Sequence, residues 1–564
     1  MSIKSLDAEV EIYNTEELKI STLPDQTEFE LLKSKIEKVL NDTNLIPKLI
    51  NVLWSSLYGW GRYLPNAVGA CMVLAPITNP PFIIETIRPQ ELPIDEMGPY
   101  KEIVLTRGNL NLHFTTKFGA RAKTRAVKKI ASWAPKSQHI SDFTDSELRG
   151  RVVKEQEKND QGEYVEIVKV KQGLATVMNK GLLYSYEAVT SASNDSYRAQ
   201  RHNFLKEIIE DGTISFSIGT KSVKTLQQIS FITCQTKMYE DSQLRTRLIP
   251  IYPPESVDVS IEAAYRKCRS IISDPAIDGS FLESIGDIKH DSFLRQMYYY
   301  VFREIEGMNG SPMIGSVAIH PTWRLFKRWL LAFSNLLPGL DEVRKKAEEM
   351  DNNFTDEKFQ AIQVLAKEHG GIDYIDGSMR VLDDAFRVAQ LSCLLNFKHR
   401  KFEIKTMPVY KPEWYKKKTL TEPDGSCVMR GVVICPQRIF QTNDDDIKIA
   451  EELIDYLMEK RTEESLAGLG TSDKQKILED SFSITPREMT ILDMIVKNPG
   501  KNTKELAMMI YGDQFDDSKR VLVGKTVREL LAKNMIQQKV AGTNKLLSIS
   551  HRGLDCHTRC KGGA

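Results

Sequence analysis

Apolar residues recur at helical spacing from Glu28 to about Val73 (Leu31, Leu32, Ile36, Val39 and Leu40, then Ile46, Leu49, Ile50 and Leu53), which predicts two or three helices. The preceding residues, 1–27, are polar and read as a tail. Pro76, Pro80, Pro81, Pro89 and Pro93 punctuate an irregular connector, so 28–100 is a helical lead-in. Between Glu102 and about Ile251 short apolar runs alternate with helix-like stretches, which predicts an α/β core over 101–256. From Ile261 to Asn396 the pattern is mainly helical, as in the run Trp323–Leu331, and a further helix covers Asp446–Met458. These give a helical region over 257–460. A polar linker follows over 461–480, then a compact unit over 481–550 and a tail over 551–564.

That last unit has the sharpest local signals. Thr485-Pro-Arg-Glu488 is a capping box: Thr caps free N–H groups, Pro suits the first turn, and Glu488 reaches back. The helix carries Met489, Ile491, Leu492 and Ile495 and stops at Asn498-Pro-Gly500. A second helix follows Asn502. A third, from about Ser518 to Lys533, takes Val521, Leu522, Val527, Leu530 and Leu531 as its buried stripe. Its polar positions hold Lys519, Arg520, Lys525, Arg528 and Lys533. Ile536 to Ile549 then forms two strands around Gly542-Thr-Asn544. Three helices and a hairpin make a winged-helix arrangement, whose third helix can enter a DNA major groove through Lys519, Arg520, Lys525 and Arg528. The competing reading is a protein-contact module with a solvated basic helix.

Composition narrows the partners. The chain has 564 residues and a net charge of +1, so nucleic acid would be met by local basic patches and not by a global field. No apolar run approaches a membrane span, and no membrane partner is expected. Eight cysteines without a C-x-x-C pair suit a reducing compartment, and a cytoplasmic location is expected. Cys556, His557 and Cys560 lack a second ligand pair nearby, so no protein-held metal is expected.

One stretch suggests chemistry. An apolar strand (Leu110, Leu112, Phe114) runs into a short loop, then Lys123-Thr124, then a helix ending near Trp133. Strand, loop, Lys-Thr and helix is the layout that cradles a nucleoside triphosphate. The usual pattern is G-x-x-x-x-G-K-[ST]; here Lys117 and Ala122 stand at the two glycines, leaving Gly119 and the cation Arg121 inside the loop. Read by itself, the match is weak, and a basic loop between strand and helix is the simpler reading.

With these motifs in hand, the chain from about residue 28 onward resembles the minichromosome maintenance (MCM) replicative helicases, AAA+ motors that thread DNA through a hexameric ring. Ala122-Lys123-Thr124 is similar to the end of the family loop G-D-P-G-T-A-K-S, and Trp133-Ala-Pro-Lys-Ser137 to L-A-P-R-S. Leu148–Lys154 and Tyr164–Val177 resemble the two strands of the helix-2 insertion hairpin, and Gly181-Leu-Leu-Tyr-Ser-Tyr-Glu187 the Walker B strand. Asn203–Ser215 resembles the segment that introduces the presensor hairpin, whose tip lysine would be Lys221 or Lys224. Ser230–Lys237 matches the sensor-1 strand, Leu244-Arg-Thr-Arg-Leu248 the arginine-finger segment, and Arg380–Ala389 the lid pattern.

The resemblance implies an AAA+ P-loop-type α/β domain with a helical lid, followed by a winged helix. It implies an ATP site held by Gly119, Arg121, Lys123, Thr124, Thr236 and Arg380, with Glu187 and Arg247 in the catalytic roles and Lys221 and Lys224 on DNA. The departures fall on one half of that site. The aspartate that orients magnesium is replaced by Tyr186, the sensor-1 asparagine by Thr236, and two loop glycines by Lys117 and Ala120. The charge-neutralising residues remain. The family's N-terminal OB-fold and zinc module is replaced by the helical lead-in.

Three functions follow from this reading. The first is an MCM-like DNA-binding protein of replication with a weak or inactive ATPase. The second is an active ATP-dependent helicase with a remodelled site. The third is an AAA+ scaffold that binds only proteins. Self-association, or a mixed ring with an intact family member, would let Arg247 serve a neighbouring site.

Overall fold

A computed structural model describes residues 12–13, 26–77, 108–116, 122–140, 148–158, 164–178, 181–186, 203–211, 213–218, 221–226, 229–235, 242–272, 290–306, 314–318, 322–337, 339–351, 355–369, 373, 375–410, 419–421, 427–429, 432–467, 484–541 and 544–561. They fall into two compact units. One comprises Met1–His320 with Asp383–Leu453, the other Pro321–Leu382 with Ile454–Ala564.

The centre of the first unit is a five-stranded sheet: β1 (Asn111–Thr115), β2 (Ser137–His139), β3 (Gly181–Ser185), β4 (Ile229–Gln235) and β5 (Ile249–Ile251). All neighbours are parallel, in the order β5-β1-β4-β3-β2. Every residue of β1 and β4 is buried, as expected of central strands covered on both faces. That burial requires their polar side chains to find partners. Asn109 Nδ2 donates to Ile229 O (2.8 Å), and Asn111 Oδ1 accepts from Phe231 N (3.0 Å), pinning the β1–β4 register. Helix α1 (Lys123–Trp133) follows β1 and turns Ala126, Val127 and Ile130 inward. Trp133 Nε1 donates to Asp291 Oδ1 (3.0 Å), which ties α1 to the helix His290–Glu306.

The lead-in contains helices Gln26–Leu40, Leu45–Ser56 and Asn66–Leu74, the last buried along almost its whole length. Gly150–Lys158 and Tyr164–Gln172 form an antiparallel hairpin, and Ile12–Tyr13, inside the segment expected as a tail, pairs beside it. A second hairpin, Thr213–Ile218 with Lys221–Leu226, is extended by Cys427–Met429 and Thr419–Thr421. Ile314–Ala318, Val432–Gln441 and Phe402–Tyr410 make a further sheet. These strands lie within the region expected as helical. Their pairing partners are more than a hundred residues away in two of the ladders, so no local periodicity announces them.

The helix that starts at Asp444 in the first unit continues to Ala467 in the second, into the stretch expected as a linker. Lys460 pairs with Glu463 one turn on, and Thr462 Oγ1 donates to Met458 O. Helices α2 (Pro486–Lys497), α3 (Thr503–Tyr511) and α4 (Asp517–Ala532) precede an antiparallel ribbon of β6 (Ile536–Ala541) and β7 (Asn544–Ile549). The capping box forms as read: Thr485 Oγ1 accepts from Glu488 N (3.2 Å) and Glu488 Oε2 from Thr485 N (2.7 Å). Asn502 and Glu505 make a second box.

The buried stripe of α4 differs from expectation. Val523, Thr526, Val527 and Leu530 are buried, whereas Val521 is 62% exposed and Leu522 and Leu531 are half-buried. Asp516 caps the helix, and Val523, Thr526, Val527 and Leu530 share one face at three- and four-residue intervals, so Val527 and Leu530 lie on the buried stripe as expected while Val521 turns out to solvent. The expected tail carries α5 (His551–Lys561), which sinks Cys556 and Cys560 into the same core as Leu492 and Leu530. A Cβ on Gly553 would meet Met535 O at 1.9 Å, so the close approach of α5 to the ribbon requires glycine. Among the described residues no helix is long and apolar enough to cross a membrane.

Candidate functional site

The strand order marks where a ligand would sit. From β1 the chain crosses β4 and β3 to reach the far edge at β2; from β4 it crosses β1 in the opposite direction to reach β5. The two connections run in opposite directions along the sheet, so the adjacent carboxyl ends of β1 and β4 are where those directions diverge. That divergence is the switch point at which open parallel sheets form a ligand crevice.

Lys123 stands at this point as the first residue of α1. Ala122 precedes it in left-handed backbone (φ 58°, ψ 14°), which turns the chain from the loop into the helix. Lys123 is buried, 7% exposed, and its Nζ donates to the carbonyl oxygen of Gln235, the last residue of β4 (2.8 Å). Burial pulls the Lys123 pKa down, opposed by the Cys234 thiol. The cation is thus held against the end of the neighbouring strand.

Three further features share that edge. The Gln235 carboxamide is 8% exposed, and neither its nitrogen nor its oxygen has a hydrogen-bond partner among the described residues. Thr124 Oγ1 faces Cys234 Sγ at 4.0 Å, and that thiol donates to Tyr186 O (3.2 Å). Thr116, just past β1, donates to Glu255 Oε1 (2.7 Å), a carboxylate supplied by the chain after β5.

Tyr186 belongs to an aromatic cluster. Its ring lies 4.6 Å from that of His139 and 5.7 Å from that of Tyr184, and Lys128 Nζ stands 5.4 Å from its centroid. Burial, reinforced by Tyr184, pushes the phenol pKa upward, so the group is neutral throughout the physiological range. Lys128 lies one turn beyond Thr124 on α1, which is why it reaches the cluster.

Of the residues expected at a nucleotide site, Lys123 and Thr124 come together at this edge. Gly119, Arg121, Glu187 and Thr236, with Lys117 and Ala120, lie outside the described residues. Arg247 Nη1 donates to Gln243 O (2.6 Å) within its own turn. Arg380 lies in the first turn of the helix Ser378–Leu395, in the second unit. Lys221 faces Ile218 across the hairpin Thr213–Leu226, and Lys224 faces Ser215.

The basic residues of α4 are mostly engaged on their own helix. Arg520 pairs with Asp517 (3.3 Å), Lys525 with Glu529 (4.0 Å), and Arg528 Nε donates to Gly524 O (3.2 Å). Lys519 stands 5.3 Å from the centroid of Tyr511. Arg520, Lys525 and Arg528 are exposed, and Lys533 instead binds the buried Glu488.

Sequence reasoning missed Cys234, Gln235, Lys128 and the His139–Tyr184 stack. Cys234 and Gln235 lie directly before the expected Thr236, and the end of the apolar run Ile229–Cys234 would have pointed to Gln235. The stack joins residues 45 or more positions apart and leaves no local signal. Among the described residues no cluster of three or more His, Cys, Asp or Glu side chains is arranged to hold a metal ion. No protein-family model matches the chain, and no curated protein matches it.

Proposed function

We propose that this chain is an MCM-like AAA+ protein of DNA replication that binds a nucleoside triphosphate at the carboxyl edge of its parallel sheet and turns it over weakly or not at all. The observation that carries the reading is Lys123, buried at the start of α1 and resting on the end of β4 at the switch point. A phosphate entering there meets a preorganised cation and the free N–H groups of a helix start. Lys123 Nζ exchanges its bond to Gln235 O for a phosphate oxygen, a stronger charge-assisted contact. The strand order supports the AAA+ assignment because it sets β1, which α1 and Lys123 follow, beside β4 and not at a sheet edge.

Weak turnover follows from the missing acidic group at Tyr186. Phosphoryl transfer depends on positioning and on neutralising the transferred group. The position at which the family carries its metal-orienting aspartate is here the neutral Tyr186, packed against His139. The second half of the proposal, DNA contact, rests on the exposed Arg520, Lys525 and Arg528 of α4 in a three-helix and ribbon unit. Those side chains leave intrahelical partners at the surface, where such pairs are weak and readily traded for phosphates.

The test is titration of the full chain with a labelled ATP analogue, followed by an ATPase assay with and without DNA. Binding without turnover is the expected result. DNA-stimulated turnover that disappears in Lys123→Ala would replace this reading with that of a working helicase, and absence of nucleotide binding would remove it.

A further inference from the structure

We infer that this site takes its nucleoside polyphosphate as the free anion, without a divalent cation. The inference rests on the nucleotide reading above and specifies the form of the ligand. Motors of the resembled family hold magnesium between the hydroxyl that follows the loop lysine and an acidic residue at the end of the third strand. The described residues do not fit that ion. Mg²⁺ requires six oxygen donors near ~2.1 Å in almost ideal octahedral order, and it strongly prefers carboxylate, carbonyl and water oxygen.

The Thr124 hydroxyl faces the Cys234 thiol, a soft and neutral group that magnesium does not favour. At the end of β3, Tyr186 presents a neutral ring packed against His139 and Tyr184, in place of an anion. Lys128 Nζ over that ring adds a positive charge where a metal site needs a negative one. Lys123 supplies a second cation at the same edge. Among the described residues the two ammonium groups repel a dication, the neutral side chains offer it no anion, and the cations attract the free polyphosphate, which is more negative than its magnesium chelate. The Gln235 carboxamide, without a partner among the described residues, offers an N–H donor that a bare phosphate oxygen can accept from. Glu255 is the rival ligand, but its carboxylate is bonded to Thr116 at the end of β1, not to Thr124.

The experiment is equilibrium titration of the full-length protein with a fluorescent ATP analogue, in EDTA and in millimolar magnesium. Affinity in EDTA equal to that in magnesium within about threefold, or tighter, is expected. Weakening by EDTA of more than about threefold overturns the inference, the more so if Glu255→Gln removes the magnesium effect. No binding in either buffer overturns the nucleotide reading itself, a distinguishable failure. Tyr186→Asp is expected to acquire magnesium-dependent binding, while Tyr186→Phe keeps the metal-independent behaviour. Identical metal independence in Tyr186→Asp would show that the tyrosine cluster is not its cause and would overturn the assignment.

Discussion

The C-terminal helix–ribbon unit and the carboxyl edge of the parallel sheet spend their polar groups in opposite ways. In α2–α4 the charges lie at the surface or are answered within a turn, as in the two capping boxes and the pair Arg520–Asp517. The core beneath is apolar and continuous, from Ile491 and Leu492 to Leu530 and Leu547. At the sheet edge a lysine is buried against a backbone carbonyl, and a glutamine beside it has no partner among the described residues. Left unanswered, a buried amide costs about 1–3 kcal/mol. A region that tolerates such a cost is shaped for a ligand, whereas α2–α4, apart from the exposed Val521, follow the local rules that favour stability.

The largest effect expected from breaking this contrast is in the apolar unit. Leu492→Ala removes a fully buried side chain at the centre of α2 and should cost about 2–5 kcal/mol. Amide hydrogen exchange across α2–α4 measures it. Nucleotide binding at the sheet edge should be unchanged, and a matching loss there would contradict the independence of the two regions.

Lys123→Ala should act in the reverse sense. A charge-assisted hydrogen bond contributes about 1.5–3 kcal/mol, so nucleotide affinity should fall by roughly tenfold to a hundredfold. Folding stability should hold or rise, because a desolvated ammonium has been removed. The pH dependence has a definite sign. The folded-state pKa of Lys123 lies below its unfolded value of about 10.4, so in the alkaline window between them the unfolded chain holds more protons. Stability from this group therefore rises with pH through that window, and Lys123→Met should abolish the slope in denaturant melts.

A smaller effect is expected at the cap of α2. Thr485→Ala leaves Glu488 N without its side-chain acceptor and should cost about 1 kcal/mol, with protection lost first at the helix start. Exchange rates confined to residues 486–490 would show a local fault; uniform loss across the unit would show that the box governs the whole fold.

How much could be read beforehand divides along the same line. Capping boxes and helical stripes are codes of a few residues, so α2, α3 and the Thr485 box were legible, while the stripe of α4 was legible at Val527 and Leu530 but not at Val523 and Thr526, because its face is set by packing against α2 and α3. The strand–Lys-Thr–helix run identified Lys123 and Thr124, since its parts are adjacent in sequence. The neighbours that give them character come from other strands. Gln235 and Cys234 arrive through β4, over a hundred residues later, and His139 reaches Tyr186 only when β2 pairs with β3. Pairing of that range leaves no periodic mark.

The finest test of the contrast is Ala122, where the sheet edge departs from a local rule in its backbone. Its φ of 58° is left-handed, and its carbonyl already accepts from Ala126 N (2.9 Å), so the residue must hold that geometry for α1 to begin. An L-residue there costs about 1–2 kcal/mol relative to right-handed backbone. Glycine escapes this cost but loses about 0.5–1 kcal/mol through its freer unfolded chain. Ala122→Gly should therefore stabilise the first unit by less than about 1 kcal/mol in denaturant melts. If strain at Ala122 also presses Lys123 onto Gln235, the relaxed variant should bind the ATP analogue measurably differently from wild type. Equal affinity with a small gain in stability would make the left-handed turn a feature of helix initiation alone, and a loss of stability would show that the alanine methyl is itself packed.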